Sequence, residues 1–240
     1  REGWSWSTSG ESLGPPSRLA AIEYKDLKQE VCASGILAAP HVLSALRRPD
    51  ASPQQLADGC AALATLAERE VGRKEVLTKG AVDAIVGAMR ACEAHPLVQE
   101  KGCSALANCA IGEGEGEVRA KGLALVLSAM GEHRGERGVQ LKGCLALANC
   151  AFSTEGERDV LERGGVAAAI EAMMAQAGDV EVLEASADAL ANLAGGEEGK
   201  SEIVRAGGLQ TLRAAQTTHP ACESVNELLE ALAKVDNVGS

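Results

Sequence analysis

Apolar residues along the chain fall into two patterns that alternate. The first is a dense run about one short helix long, as in AVDAIVGAMRAC at 81–92 and GVAAAIEAMMAQ at 165–176. The second is sparser, with Val98, Cys103, Leu106 and Cys109 recurring at helical intervals. Side chains three to four residues apart share one face of a helix, so both patterns predict α-helices. The longer ones are expected at about 96–110, 138–151 and 180–194. Each dense run follows a short segment that ends on glycine: VCASG at Gly35, VLTKG at Gly80, VRAKG at Gly122, VLERG at Gly164 and IVRAG at Gly207. Glycine in that place stops a short helix by turning left-handed and lets the next one begin. No period-two alternation is visible, so the fold class expected is all-α.

The pattern repeats. GCAALATLA at 59–67, GCSALANCA at 102–110, GCLALANCA at 143–151 and SADALANLA at 186–194 align without gaps at intervals of 43, 41 and 43 residues. The five glycines run in step at intervals of 45, 42, 42 and 43. Two landmarks in constant phase define a unit of about 42 residues containing three helices. The expected units lie at approximately 22–68, 69–111, 112–153, 154–195 and 196–235. A single unit cannot bury its own apolar face, so the five must stack into a superhelix around one core. Gly59, Gly102 and Gly143 fall inside third helices, where glycine costs about 1 kcal/mol relative to alanine. Close packing of a neighbouring helix is the expected compensation, and Ser186 in the next unit implies that smallness is the requirement. Residues 1–19 read as an extended arm with Trp4, Trp6 and the pair Pro15-Pro16, and 236–240 as a tail.

Short helix, glycine, apolar helix, then a long helix ending in A-L-x-N: over roughly residues 22–235 this resembles the armadillo repeat. The resemblance implies a right-handed α-α superhelix whose third helices line a concave groove. It also implies that Asn108, Asn149 and Asn192 hold the backbone of an extended peptide. A side-chain amide offers both donors and acceptors to a peptide group, although an Asn near a helix end can equally bond local backbone. The importin alpha branch places Trp four residues before the Asn. Here those positions are Ala61, Ser104, Leu145 and Asp188, so classical import-signal binding is not expected. The first unit has Thr65 at the Asn position and the last has Ala231, as befits atypical end units.

Other positions on the same face carry charge. Lys101 and Lys142 stand in the middle of the array, followed by Glu181, Glu184, Asp188, Glu223 and Glu227. The C-terminal half of the groove is therefore expected to contact a basic segment of a protein partner, and Lys101 and Lys142 something of opposite sign. The plainer reading is a solvated helix face. Trp4 and Trp6 would anchor the arm on the first unit or on a partner.

Composition narrows the functional classes. With 34 acidic and 23 basic residues the net charge is -11, which opposes general binding of nucleic acid or anionic membrane. No apolar stretch approaches the roughly 20 residues of a bilayer span, and REGWSWSTSG lacks a signal-peptide core. The opening Arg in place of Met reads as a truncated or processed start. Eight Cys sit within helical patterns without C-x-x-C spacing; they read as buried core thiols in a reducing, intracellular compartment, the cytoplasm first. Met89, Met130 and Met173 recur near the ends of second helices and read as core filling.

Catalysis finds no constellation. His95, His133 and His219 fall in turns between helices, and His41 stands apart. The loop GEGEGEV with Glu113, Glu115 and Glu117 lacks the ligand order of a calcium loop. No cofactor, metal or enzymatic activity is expected. Two functions remain: an adaptor whose groove takes an extended or helical segment, or a permanent subunit of a large assembly held by its arm and outer helices.

Overall fold

A computed structural model of the chain describes residues 39–236, with side chains through 233. The arm with Trp4 and Trp6, Gly35 and the tail beyond 236 lie outside the described residues. Among the described residues the chain is all-helical, with no strand. A pair of helices comes first, α1 (Ala39–Leu46) and α2 (Pro53–Ala67). Three helices of rising length then recur: α3 (Glu70–Thr78), α4 (Ala81–Ala91) and α5 (Pro96–Cys109); α6 (Glu115–Lys121), α7 (Leu123–Glu132) and α8 (Arg137–Cys150). The same order continues with α9 (Thr154–Glu162), α10 (Gly165–Ala175) and α11 (Val180–Leu193), then α12 (Glu197–Arg205), α13 (Gly208–Thr218) and α14 (Glu223–Asp236).

The long helices α2, α5, α8, α11 and α14 pack side by side in chain order, and each also packs on the apolar helix before it. One continuous core runs from Ala39 to Leu232 and is built mainly of Ala, Leu, Val, Ile, Cys and Met. Small side chains let these helices approach closely, which explains how a chain with 2% aromatic residues closes a core.

Local signals set the helix ends. Gly80, Gly164 and Gly207 are left-handed at φ 75°, 84° and 83°, as expected of helix-stopping glycines. Gly122 departs from that expectation: at φ -108° it stays right-handed, and α6 passes into α7 with only this residue between. Long helices start at Ser52, His95, Glu136 and Asp179. Ser52 closes a capping box with Gln55, and Asp179 accepts from the Val182 amide.

The glycines inside third helices meet the apolar helix of their own unit. A Cβ on Gly102 would stand 2.3 Å from Met89 Cγ, and one on Gly143 2.4 Å from Met130 Cγ. Ser186, fully buried, fills the next position. The methionine stripe is thus core: Met89, Met130 and Met173 are all buried against the long helices.

A second glycine series went unread in the sequence. Gly72, Gly114, Gly156 and Gly199 lie at intervals of 42, 42 and 43 residues, at the entry to the short helices. There the short helix crosses the end of the preceding long helix. A Cβ would lie 2.1, 1.9, 2.1 and 1.6 Å from the carbonyl oxygens of Leu66, Cys109, Cys150 and Leu193. Their shared period was the available signal, but glycines at 112, 114 and 116 blur the phase.

Candidate functional site

The three asparagines occupy one register on adjacent long helices, and each reaches back to the helix before its own. Asn108 Nδ2 donates to Ala64 O at 2.9 Å, Asn149 Nδ2 to Ala107 O at 2.8 Å, and Asn192 Nδ2 to Ala148 O at 2.8 Å. The alternatives weighed from sequence, groove contact or local backbone, did not include this use: the amides tie successive helix triplets together. Each side chain stays half-buried and retains one N–H and its carbonyl oxygen. Thr65, at the corresponding place in α2, donates instead to Ala61 O of its own helix.

Charged residues on the same face divide into paired and free. Lys101 Nζ lies 2.5 Å from Glu100 Oε1, so this cation is answered by its neighbour. Arg137 bonds Asp179 and also reaches Glu181 Oε2 at 3.0 Å. Through that bond Arg137 holds the Asp179 carboxyl below the usual carboxylate range. Lys142 is half-buried, and Glu184, Asp188, Glu223 and Glu227 are exposed. Among the described residues none of these five has a side-chain partner. Glu184 and Asp188 are one turn apart on α11. Burial of Val225 and Leu228, matching Val182 and Ala185, sets the register of α14. The Asn position of that helix is therefore 235, not Ala231; Glu227 stands level with Glu184, while Glu223 sits at the helix start beside the level of Val180. The helix carries no A-L-x-N block, so its register shows only in which side chains are buried.

The charge follows the chain. Residues 39–95 hold seven basic and seven acidic side chains, whereas 96–240 hold twelve basic and twenty-two acidic. The free carboxylates on α11 and α14 thus belong to a wider acidic region.

Several side chains that the sequence reading passed over fix the frame around this face. Gln99, 1% exposed, donates to Met89 O and Cys92 O, and Gln140 likewise to Met130 O and His133 O. These buried amides cap the ends of α4 and α7, where helix carbonyls would otherwise be unmatched. A further inter-triplet bond joins His133 Nε2 to Glu93 O at 2.8 Å, and Gln176 Nε2 reaches Gly135 O at 3.2 Å. Arg119, almost buried, lies 3.0 Å from Glu155 and 3.1 Å from Asp159, linking α6 to α9. Glu115, from the acidic loop, accepts from Ser153 Oγ at 2.5 Å and is thus part of a helix junction. An arginine at a position held by Leu77 and Leu161 in neighbouring triplets gave no periodic signal.

Six of the seven cysteines among the described residues are buried in the core, and Cys92 is half-buried. Cys60, Cys103 and Cys144 stand at one level on successive long helices, and Cys144 Sγ lies 3.2 Å from Ser186 Oγ. Burial pushes the thiols of Cys60, Cys103, Cys109, Cys144 and Cys150 up to about 12, leaving about one thiolate in ten thousand at pH 8. Half-buried Cys92 is more accessible. With a disulfide thiol reagent at pH 8, Cys92 should react in the native protein while those five react only on unfolding; rapid labelling of Cys103 or Cys144 would show the core to be open.

Among the described residues no helix is long and apolar enough to cross a membrane. No protein-family model and no curated protein matches the chain. Its fold is similar to a crystal structure of an engineered protein from the Northeast Structural Genomics Consortium, with a TM-score of 0.69 over 91% of this chain and 87% of the other. At 24% identity this likeness concerns the fold alone.

Proposed function

We propose that the chain is an armadillo-like right-handed superhelix of about five three-helix units, and that it works as a protein-binding adaptor. The long helices form its concave groove, and the groove takes a basic extended or helical segment of another protein. The observation that carries this reading is the set of exposed, unpaired carboxylates Glu184, Asp188 and Glu227 on neighbouring long helices. They flank the Asn ladder, whose amides keep a donor and an acceptor for a peptide backbone. Like charges held side by side repel, so a cation placed among them gains attraction without breaking an existing pair. Glu181 and Lys101 contribute less, because Arg137 and Glu100 already answer them. Lys142 favours an acidic or carbonyl group of the same segment.

Electrostatic recognition of this kind governs association rate and salt dependence. A lysine-rich peptide should bind the native chain at low ionic strength and weaken as salt rises. The combined change Glu184→Lys, Asp188→Lys and Glu227→Lys should lower affinity about a hundredfold, with helix content retained because all three side chains are exposed. Fluorescence anisotropy with a labelled peptide reads the result. Equal affinity for native and reversed chains would reject the groove as the basic-segment site.

A further inference from the structure

The strongest unexplained surface lies at the ends of the long helices, on the edge where each turns into the next short one. The described chain exposes five large apolar side chains, and two of them fall at the same place in successive copies of this turn. Ile111 is 40% exposed after α5 and Phe152 83% after α8, while Val71, 65% exposed, sits within α3 at the place that Glu113, Glu155 and Glu198 take in later units. Phe152 is the only phenylalanine in the sequence, and it points to solvent rather than into a core starved of aromatics. Single exposed apolar residues are ordinary; Ile111 and Phe152, each the second residue after a long helix, share one structural position in successive units.

Bonds across the turns show that they adjoin. Ser153 Oγ meets Glu115 Oε1, and the next turn continues the series as the Gly196 amide donates to Glu157 Oε1 at 2.8 Å. A Cβ on Gly114 would touch Leu77 of α3, which places the Ile111 turn against the helix that carries Val71. The same edge is acidic. Glu70, Glu155 and Glu197 are paired with Lys74, Arg119 and Lys200. Glu113 and Glu198 form no hydrogen bond or ion pair among the described residues, although Glu113 lies near enough to Lys74 to favour its charged form; Arg69 and Arg158 are exposed cations on the same edge.

We infer that this edge is a second docking surface, which takes an amphipathic segment of another protein: apolar side chains over Ile111 and Phe152, and Lys or Arg beside Glu113 and Glu198. The carboxylates identify the occupant. Anionic lipid is repelled by them, whereas a basic amphipathic segment satisfies both the apolar pair and its charged border. Aromatic residues that protrude in this way commonly anchor such contacts.

The probe is a labelled peptide of about four helical turns with Leu on one face and Lys on the other. Controls replace its Lys by Glu, or its Leu by Ser. The Leu-Lys peptide should bind the full chain, and Ile111→Ser with Phe152→Ser should weaken it about tenfold or more. Glu113→Lys with Glu198→Lys should weaken it severalfold at low salt. The groove variant at Glu184, Asp188 and Glu227 should leave it unchanged, so failure of this surface and failure of the groove can be told apart. Binding that ignores the edge variants, or responds only to the groove variant, overturns the proposal. So does Phe152-dependent binding to phosphatidylcholine vesicles in place of the peptide, or Phe152-dependent self-association in ultracentrifugation.

Discussion

Gly199→Ala is expected to destabilise the fold by about 3 kcal/mol or more, an unusually large effect for one added methyl. The new Cβ would stand 1.6 Å from Leu193 O and 2.8 Å from Leu193 C. Both are backbone atoms at the end of α11, so no side-chain rotation relieves the clash. The start of α12 must move off α11, or α11 must lose its last turn. Gly72, Gly114 and Gly156 predict the same outcome, since each would drive a Cβ to within 2.1 Å of a backbone oxygen. Gly87→Ala supplies the contrast. Gly87 is exposed within α4 and has no atom within 4 Å of a new Cβ, so this change should stabilise by about 1 kcal/mol through helix propensity. Urea unfolding followed by helical circular dichroism measures both. A Gly199→Ala chain with the native midpoint would mean that the short helices do not approach the long ones this closely.

The second large effect concerns the asparagines. Changing Asn108, Asn149 and Asn192 together to Ala removes three bonds of 2.8–2.9 Å between helix triplets. Each loss leaves a backbone carbonyl deprived of its cross-helix donor, so about 1–2 kcal/mol is expected per site and about 3–6 kcal/mol for the set. Triplets in a stack are held only by their neighbours, so weakened interfaces should also broaden unfolding into steps. Calorimetry would show this as a van't Hoff enthalpy below the calorimetric one. Native stability and a single sharp transition in the triple variant would remove the ladder as a structural device. If the loss is seen, then a partner that no longer binds the triple variant says little about peptide contact. Charge reversal at exposed Glu184, Asp188 and Glu227 separates recognition from folding, because these side chains hold nothing in the free chain.

Much of the architecture was legible from residue order. Helical spacing of apolar residues placed the long helices within one or two residues of their observed ends, for instance Pro96–Cys109 against an expected 96–110. The recurring Gly-Cys-x-Ala-Leu blocks set the triplet, and Ser186 correctly signalled that smallness was required inside the long helix. Burial of Cys60, Cys103 and Cys144 and of Met89, Met130 and Met173 followed from their phase, whereas Cys92 is only half-buried. Gly122 was misread because a glycine permits a left-handed stop without compelling one. The register of the last helix is not legible in its sequence, because α14 carries no A-L-x-N block to mark it.

The sequence by itself determined helix type, order and period, because these depend on side-chain spacing within a few turns of one chain segment. Only the tertiary structure decided what the polar groups do. The partners of Asn149, Gln140, Arg119 and Glu115 lie on or at the ends of other helices, at separations of 7 to 42 residues for the hydrogen bonds of Asn149, Gln140 and Glu115. Whether Glu181 is free or answered turns on Arg137, which belongs to the triplet before it. A carboxylate reads the same in sequence with or without a cation beside it; its chemistry is set by the distance between helices, and that distance comes from packing.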